Sequence, residues 1–321
     1  MRAATIKRYG SPDVIEITEV DRPMCGAGEV LIAVRAASVN PYDWHSMTGT
    51  PFPLRFQGGL RRPKNPRLGI DVAGVIEAVG ENVTKFAVGD EVFGGASGAF
   101  AEFVTVNDKT LVRKPENTTF EEAAAVPVGA LTAVQGLRDK GMIEAGQRVL
   151  VNGAAGGVGT YAIQLAKHFG ADVTGVCSTR NIEMVSALGA DHVVDYTADD
   201  FTDHGIAYDL ILDNVGNRKV KHLKRCMTPT GNYVMVGAPK DGVLGPIGHM
   251  MTTLLRFKFG KRRGVSFVAK HTLDDMELFR DLLSSGEMRS VIDTSYPLDQ
   301  AADALRQLST GHARGKIIIT P

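Results

Sequence analysis

The chain has 321 residues, 44% of them hydrophobic and 22% charged, a composition typical of a soluble globular protein of about two domains. Lysine plus arginine and aspartate plus glutamate each number 36, so no global charge attracts nucleic acid or an anionic membrane. No apolar run reaches the roughly 18 residues that span a bilayer. We therefore expect neither a nucleic-acid partner nor stable membrane insertion.

The three cysteines, Cys25, Cys177 and Cys226, are odd in number and far apart in sequence. This pattern favours reduced thiols over a disulfide framework. The segment Met1–Tyr9 has the alternating pattern of a strand, and it has the composition of neither a secretory signal nor a transit peptide. Together these features predict a cytoplasmic location.

The first part of the chain, to about Leu111, consists of short β-branched runs broken by glycine and proline. Val30–Val34, Asp71–Val79 and Phe100–Val106 are the clearest of these runs, and their pattern is typical of strands. The sequence therefore predicts a β-rich, barrel-like domain at the front.

From about Ala123 to Val268, buried strands alternate with amphipathic helices, as in a doubly wound parallel sheet. Six strands are expected, the number in two mononucleotide-binding halves. They are Arg148–Asn152, Asp172–Cys177, His192–Asp195, Asp209–Asp213, Gly231–Val236 and Val265–Val268.

The residue pattern in the last part of the chain predicts a helix over Leu273–Ser284, another helix after Pro297 and a last strand over Lys316–Thr320. We expect this strand to return to the front domain. The predicted fold is α/β, with a β-rich front domain over residues 1–122, a doubly wound parallel-sheet domain over 123–268, and a segment over 269–321 that completes the front domain.

A glycine loop follows the first strand of the predicted parallel sheet. Its residues are Gly153, Gly156, Gly157, Val158 and Gly159, and the helical run Thr160–Phe169 comes next. Glycines allow a sharp turn and let backbone N–H groups and the helix N-terminus approach a pyrophosphate. An ordinary tight βα turn is the alternative, but strand, loop and helix in this order favour a dinucleotide site.

The end of the second strand bears on which dinucleotide binds. In NAD enzymes an acidic residue roughly 20 residues beyond the glycines bonds the ribose hydroxyls, whereas here Ser178, Thr179 and Arg180 follow Cys177. Arginine forms bidentate bonds to a phosphate, which favours NADPH. Alternatively, Arg180 is a solvated residue at a helix start and Ser178 or Thr179 is its N-cap.

The chain resembles, over nearly its full length, the medium-chain dehydrogenase/reductases, and among them the zinc-free quinone oxidoreductases. The matching blocks are Ala37–Asp43, Gly69–Gly74, Val88–Phe93, Leu131–Ala133, the glycine loop, Leu188–Asp191 and Gly315–Lys316. The resemblance implies a split GroES-like catalytic domain, a Rossmann domain with NADPH in the cleft between them, and a homodimer. It also implies that the cofactor contacts Thr132, Asn152, Ser178, Arg180, Tyr196, Asn214, Gly237, Phe267 and Lys316.

The zinc ligands of the related metal-containing enzymes are missing from the corresponding positions. Those enzymes have a cysteine within the block that reads Asn40–Asp43 here, a histidine-glutamate pair after the glycine that is Gly69 here, and a four-cysteine lobe further on. This chain has Ile70 and Asp71 after Gly69, and no cysteine between Cys25 and Cys177. We therefore predict that no zinc is bound, which favours reduction of a conjugated acceptor over alcohol oxidation.

The resemblance places Asn40, Tyr42 and His45 at the nicotinamide end of the cleft. We expect hydride from NADPH to pass to a quinone or an α,β-unsaturated carbonyl, with these side chains as candidate donors to the acceptor oxygen. The Asn-Pro-Tyr-Asp sequence also favours a turn in which Asn40 and Asp43 satisfy backbone groups, including a helix N-cap. Solvent is an alternative proton donor.

Several alternatives stay open. The segment over residues 247–263, apolar with a cationic end, fits a substrate mouth, a membrane-surface helix, or a helix packed on its neighbour or on a second subunit. A protein that binds NADPH and RNA without turnover, like the lens crystallin of this branch, is one alternative function. A metal-independent NADP alcohol dehydrogenase is another.

Overall fold

A computed structural model describes residues 1–238, 245–258 and 260–321, except for the side chains of residue 57 and residues 245–247. The described strands are β1 (Arg2–Ile6), β2 (Ile15–Glu19), β3 (Glu29–Val39), β4 (Asp71–Val79), β5 (Glu91–Gly95), β6 (Phe103–Asn107), β7 (Leu111–Arg113), β8 (Arg148–Asn152), β9 (Asp172–Cys177), β10 (His192–Asp195), β11 (Tyr208–Asp213), β12 (Met227–Met235), β13 (Arg263–Ser266), β14 (Ile292–Pro297) and β15 (Lys316–Thr320).

The described α-helices are α1 (Pro41–Thr48), α2 (Arg55–Gly58), α3 (Phe120–Ala125), α4 (Pro127–Val134), α5 (Gly159–His168), α6 (Ile182–Ala187), α7 (Val220–Arg225), α8 (Gly245–Phe257), α9 (Leu273–Ser285) and α10 (Ala301–Ser309). A π-helical segment, Gln135–Lys140, continues α4.

The chain forms two compact units. The first combines Met1–Val128 with His271–Pro321, and the second is Gly129–Lys270. The first unit thus extends beyond residue 122, the boundary expected from the sequence, because helix α3 packs on strands β3 and β4. A capping box at Thr119 and Glu122 begins that helix.

The sheet of the first unit has the order β14-β15-β3-β4-β5-β7, with β6 also paired to β3. Strand β15 is antiparallel to β3, with Ile317 opposite Val39, so the end of the chain lies beside a strand from its beginning. The alternating apolar residues of these strands form a buried core in which Ile32, Val72 and Ile319 are at most 1% exposed. A separate hairpin pairs β1 with β2.

The sheet of the second unit has the order β10-β9-β8-β11-β12-β13, and every neighbouring pair is parallel. This is the strand order of the dinucleotide-binding doubly wound fold, which confirms the predicted fold class. Because the strands are parallel, all six carboxyl ends lie along one edge of the sheet. That edge is where ligands bind in open α/β sheets.

The predicted strand bounds differ from the observed ones for β3, β6, β11, β12 and β13. The run Phe100–Val106 becomes a strand only from Phe103, because the backbone of Phe100 bonds Leu68 and Ala4 instead of β3. The last two strands of the parallel sheet begin earlier than expected, at Met227 and Arg263. Their first residues are largely polar or exposed, so apolar runs did not mark them.

Candidate functional site

The turn between β8 and α5 requires glycine at two positions. Gly153 has a φ of +76°, in the left-handed region. A Cβ on Gly159 would lie 2.1 Å from the carbonyl oxygen of Gly153, so no side chain fits there. A Cβ on Gly156 would meet that oxygen at 3.6 Å, an ordinary contact. The turn is therefore tight at Gly153 and Gly159, with space beside Gly156.

Most of the residues expected to contact the cofactor follow the strands of the parallel sheet. Because those strands share a carboxyl edge, these residues lie along it. They are Asn152 at the end of β8 and the glycine loop after it, Ser178 and Arg180 after β9, Tyr196 after β10, Asn214 after β11, Gly237 after β12 and Phe267 after β13. Thr132 lies in α4 and is half-buried. Lys316 belongs to the first unit.

A buried carboxylate joins three strand ends at this edge. Asp213 is fully buried, and its Oδ1 accepts hydrogen bonds from the Asn152 amide at 2.8 Å and the Gly216 N–H at 2.8 Å. Its Oδ2 accepts the hydroxyl of Tyr233 at 2.9 Å. Burial raises the pKa of Tyr233, which keeps that hydroxyl protonated as a donor. Asp213 thus fixes the ends of β8, β11 and β12 relative to one another.

Two buried acceptor oxygens beside this edge have no hydrogen-bond partner. The Asn214 amide nitrogen donates to the Asn152 carbonyl at 3.0 Å, while its Oδ1 accepts nothing. The Asn181 amide nitrogen donates to Ser178 Oγ at 3.2 Å, and its Oδ1 is likewise unpartnered. Buried acceptors are normally satisfied, and ribose hydroxyls or a carboxamide N–H are suitable donors. The residues present therefore fit a bound dinucleotide.

An acidic residue that the sequence analysis missed lies beside the end of β9. Asp195, the last residue of β10, accepts the hydroxyl of Thr179 at 2.5 Å and that of Thr197 at 2.7 Å. These hydrogen bonds, the one from Thr179 foremost, lower the pKa of Asp195. An ionised carboxylate thus contacts the residue before Arg180, which is itself exposed. The pairing of β9 with β10 creates this arrangement.

The first unit contains a buried polar cluster on strands β3, β4 and β15. The Nζ of Lys316 lies 2.6 Å from Asn40 Oδ1 and 3.6 Å from Asp71 Oδ2. Asn40 Nδ2 donates to Asp71 Oδ2 at 2.9 Å, and Ser38 Oγ donates to the same oxygen at 2.7 Å. Burial lowers the pKa of Lys316 and raises that of Asp71, while their mutual attraction opposes both shifts.

Asp43 adds a second buried carboxylate at the start of α1. Its oxygens accept the Asn40 N–H and the Gly69 N–H, each at 2.9 Å. Burial raises the pKa of Asp43 to about 7 despite these bonds. The carboxylate joins the helix start to the loop before β4, which is the capping role that the Asn-Pro-Tyr-Asp pattern favours.

The three expected catalytic residues have different surroundings. Asn40 is 1% exposed, and its amide donates to the Ser38 carbonyl and to Asp71, so its donors are used within the protein rather than directed to a substrate. Tyr42 is 60% exposed. His45 Nδ1 lies 2.6 Å from the Thr50 carbonyl and therefore carries the proton. Nε2 of a neutral His45 is then an acceptor.

Two further structural observations concern metals and membranes. Among the residues that the structure describes, no three histidine, cysteine, aspartate or glutamate side chains are grouped closely enough to hold a metal ion. In the same part of the chain, no helix has both the length and the apolarity to cross a bilayer. Residue 259, within the segment 247–263, lies outside the described residues.

Two family models match the chain. Residues 26–116 match the alcohol dehydrogenase GroES-like domain, and residues 188–319 match a zinc-binding dehydrogenase domain. Although the second model is named for zinc binding, this chain has Asn40–Asp43 and Ile70–Asp71 where the metal-containing enzymes have zinc ligands. That this chain binds no zinc therefore stays a prediction.

Individual relatives match the whole chain. A chloroplast envelope quinone oxidoreductase homolog of Arabidopsis thaliana is 32% identical over 100% of the chain and 98% of its own length. An NADPH-dependent alkenal/one oxidoreductase of the same plant is 33% identical over 100% of the chain and 80% of its own length. The structure of a quinone oxidoreductase from Coxiella burnetii superposes with a TM-score of 0.86 at 29% identity, covering 100% of this chain and 99% of that one.

The predicted cytoplasmic location is wrong on this comparison. Both plant relatives are chloroplast proteins by name, and a relative from Bos taurus, 35% identical over 99% of the chain and 89% of its own length, is a mitochondrial NAD(P)H oxidoreductase. The error has a chemical reason, since reduced thiols are equally compatible with the reducing interior of an organelle.

The parallel sheet with its glycine turn and strand-end polar residues is a dinucleotide-binding domain, and the first unit matches the GroES-like model. Relatives above 30% identity match this chain over its whole length. The chain therefore belongs to the medium-chain dehydrogenase/reductase superfamily, in the branch of the quinone oxidoreductases.

Proposed function

We propose that the protein is an NADPH-dependent reductase of quinones or α,β-unsaturated carbonyl compounds that needs no metal. The observation that carries this proposal is the glycine turn, closed to side chains at Gly159 and flanked by the unpartnered buried oxygen of Asn214. The names of the full-length relatives support the reaction class. When bound, NADPH supplies the hydride that reduces the acceptor.

Residues of the second unit would hold the cofactor. The backbone of the Gly153–Gly159 turn and the N-terminus of α5, a helix of ten residues, are suited to the pyrophosphate. Asn214 Oδ1 and Asn181 Oδ1 are acceptors for hydroxyl or amide donors of the ligand. Because Asp213 fixes three strand ends, this framework is in place before the ligand arrives.

We propose that Ser178 and Arg180 favour NADPH over NADH. Arg180 is exposed at the end of β9, where its guanidinium is suited to a 2′-phosphate. Asp195 acts in the opposite direction, since its charge beside Thr179 repels a phosphate. The preference for NADPH therefore depends on the balance between Arg180 and Asp195.

For the acceptor oxygen, we propose Tyr42 and His45 as donors, and Asn40 as a positioning residue. Tyr42 is exposed and carries a hydroxyl, and Nε2 of His45, the ring nitrogen that does not contact Thr50, donates when it carries a proton. Asn40 and Lys316 hold the end of β3 and the start of α1 in place through their buried hydrogen bond. The proton that completes reduction comes from one of the two donors or from solvent.

The test is turnover by chelator-treated protein with NADPH or NADH and a panel of benzoquinones, 2-alkenals and cyclic enones, followed by loss of reduced-nicotinamide absorbance. We expect turnover of conjugated acceptors with NADPH preferred, and an Arg180→Asp variant that loses the preference. Simple alcohols with NADP test the alternative of a metal-independent alcohol dehydrogenase. Alcohol oxidation without enone or quinone reduction would reject our proposal.

The non-catalytic alternative makes a separate prediction. A protein that only binds NADPH would show tight binding by fluorescence titration and no turnover across the whole panel. We also propose a homodimer, which light scattering of the purified protein would test; a monomeric mass at all concentrations would exclude it.

A further inference from the structure

The zero net charge of the chain hides a strong local asymmetry. The stretch between Asp213 and Asp274 contains twelve of the 36 lysines and arginines but only one of the 36 acidic residues, Asp241. In this stretch Arg218 and Arg225 form ion pairs with Asp200 and Asp203. Of the other cations that the structure describes, Lys221 and Lys224 lie in α7, Arg256 in α8, Lys258 directly after α8, and Arg263 begins β13.

Helices α7 and α8 pack together and leave a groove of about 590 Å³ between them, lined by Val220, Lys221, Lys224, Leu255 and Arg256. Lys224 Nζ donates to the Arg256 carbonyl at 2.7 Å, which joins the two helices. A second groove of about 320 Å³ on the other side of α8 adds Lys258, Lys261 and Arg262. Cations therefore line both sides of α8.

The outward side of α8 is apolar as well as cationic. Met251 is 61% exposed and Leu255, one turn later, is 58% exposed, while Phe257 on the opposite side is buried and stacks on Tyr233. Among the described residues, no acidic side chain forms an ion pair with Lys221, Arg256 or Lys258. We call the set Lys221, Lys224, Met251, Leu255, Arg256 and Lys258 the cationic face.

We propose that the cationic face docks the protein on the surface of an anionic lipid bilayer. A helix with exposed apolar residues bordered by lysine and arginine lies in the headgroup region, where the cations meet lipid phosphates. With only Met251 and Leu255 to insert, electrostatic attraction supplies most of the binding, so attachment is peripheral and sensitive to salt.

Two other occupants fit the cationic face less well. A second copy related by a two-fold axis would bring the same cations against each other, which is unfavourable. Single-stranded RNA is recognised by aromatic side chains on which bases stack, and the cationic face contains none. An anionic lipid surface matches both its charge and its apolar residues.

The test is co-sedimentation of the full chain with vesicles of phosphatidylcholine alone, or of equal parts phosphatidylcholine and phosphatidylglycerol. We expect binding only to the anionic vesicles and release by salt. Lys221→Gln with Lys258→Gln should weaken binding about fivefold for each cation removed, and Met251→Gln with Leu255→Gln should weaken it without changing its dependence on salt. All four side chains are exposed, so thermal unfolding and NADPH oxidation should stay unchanged.

Exposed residues of the first unit provide matched controls. Lys64→Gln with Lys109→Gln removes the same charge, and Met24→Gln with Val88→Gln removes exposed apolar side chains. These controls should bind like the unmodified protein. Equal binding to both vesicle types, equal losses in control and cationic-face variants, or binding to an oligouridine but not to vesicles would each overturn the proposal.

Discussion

Lys316 Nζ and Asn40 Oδ1, 276 residues apart in sequence, lie 2.6 Å apart in the interior of the first unit. The hydrogen bond joins the first residue of β15 to the residue that precedes α1. Asp71 on β4 supplies the negative charge that a buried ammonium requires. The cluster therefore holds together the beginning and end of the unit that contains Tyr42 and His45.

We expect Lys316→Met to lower the free energy of unfolding by about 3–5 kcal/mol, because it leaves Asp71 charged, buried and without its cation. Adding Asp71→Asn should recover part of that loss, and denaturant titration of the two single variants and the double variant measures the coupling. Lys114→Met is the control, because it removes the cation that pairs with Glu91, a carboxylate that is 48% exposed and therefore stays hydrated. Additive losses would show that Lys316 and Asp71 do not act as a pair.

Asp43 should make stability fall as pH rises. Burial raises its pKa from 3.8 to about 7, so between these values the folded state binds a proton that the unfolded state has released. The free energy of unfolding of the unmodified protein, relative to Asp43→Asn, should decrease across this range by an amount on the order of 4 kcal/mol. Above the folded pKa the difference should be constant. A difference independent of pH would mean that Asp43 is ionised throughout.

The glycine turn offers a pair of variants that separate folding from binding. Gly159→Ala would place Cβ 2.1 Å from the Gly153 carbonyl oxygen and should distort the turn, lowering the thermal unfolding midpoint. Gly156→Ala makes only an ordinary contact and should fold normally. We expect it still to lose NADPH affinity roughly tenfold or more, because the methyl occupies space beside the pyrophosphate. Unchanged affinity in a folded Gly156→Ala protein would contradict the assigned site.

Arg180 and Asp195 should shift cofactor preference in opposite directions. Arg180→Gln removes a charge-assisted bond to the 2′-phosphate and should lower affinity for NADPH roughly tenfold or more, with little change for NADH. Asp195→Asn removes a repulsive charge and should raise affinity for NADPH only. Fluorescence titration with both cofactors measures each effect. Parallel changes for the two cofactors would show that neither residue faces the 2′-phosphate.

The sequence predicted the parallel sheet well because its central strands β8, β9 and β11 are largely buried runs that end at polar or glycine-rich turns. The bounds of β8, β9, β10 and β15 agree with the prediction residue for residue. The glycine turn was equally visible, since positive φ at Gly153 and close packing at Gly159 require glycine there. The first part of β12 was missed because Thr228, Pro229 and Thr230, which follow Met227, lack this local signal.

The polar clusters were much less predictable. The sequence drew attention to Asp71 only because it stands where metal-containing relatives have a zinc ligand. Its contact with Lys316 depends on β15, β3 and β4 being neighbours in one sheet. Asp195 likewise contacts Thr179 through the pairing of β9 with β10. Such contacts follow from strand order and register, which local patterns do not specify. For the same reason the sequence left open whether the Asn40 amide donates to a substrate or within the protein.

Transfer of deuterium tests the central claim most directly. NADPH labelled with deuterium on either face of C4 would be incubated with the protein and 2-cyclohexenone, and the product analysed by mass spectrometry. We predict that one of the two labelled cofactors delivers a single deuterium to the β-carbon of the saturated ketone, and that Gly156→Ala slows the transfer when NADPH is limiting. Oxidation of NADPH without a deuterated ketone from either cofactor, or transfer at the unmodified rate in Gly156→Ala at limiting NADPH, would contradict the account.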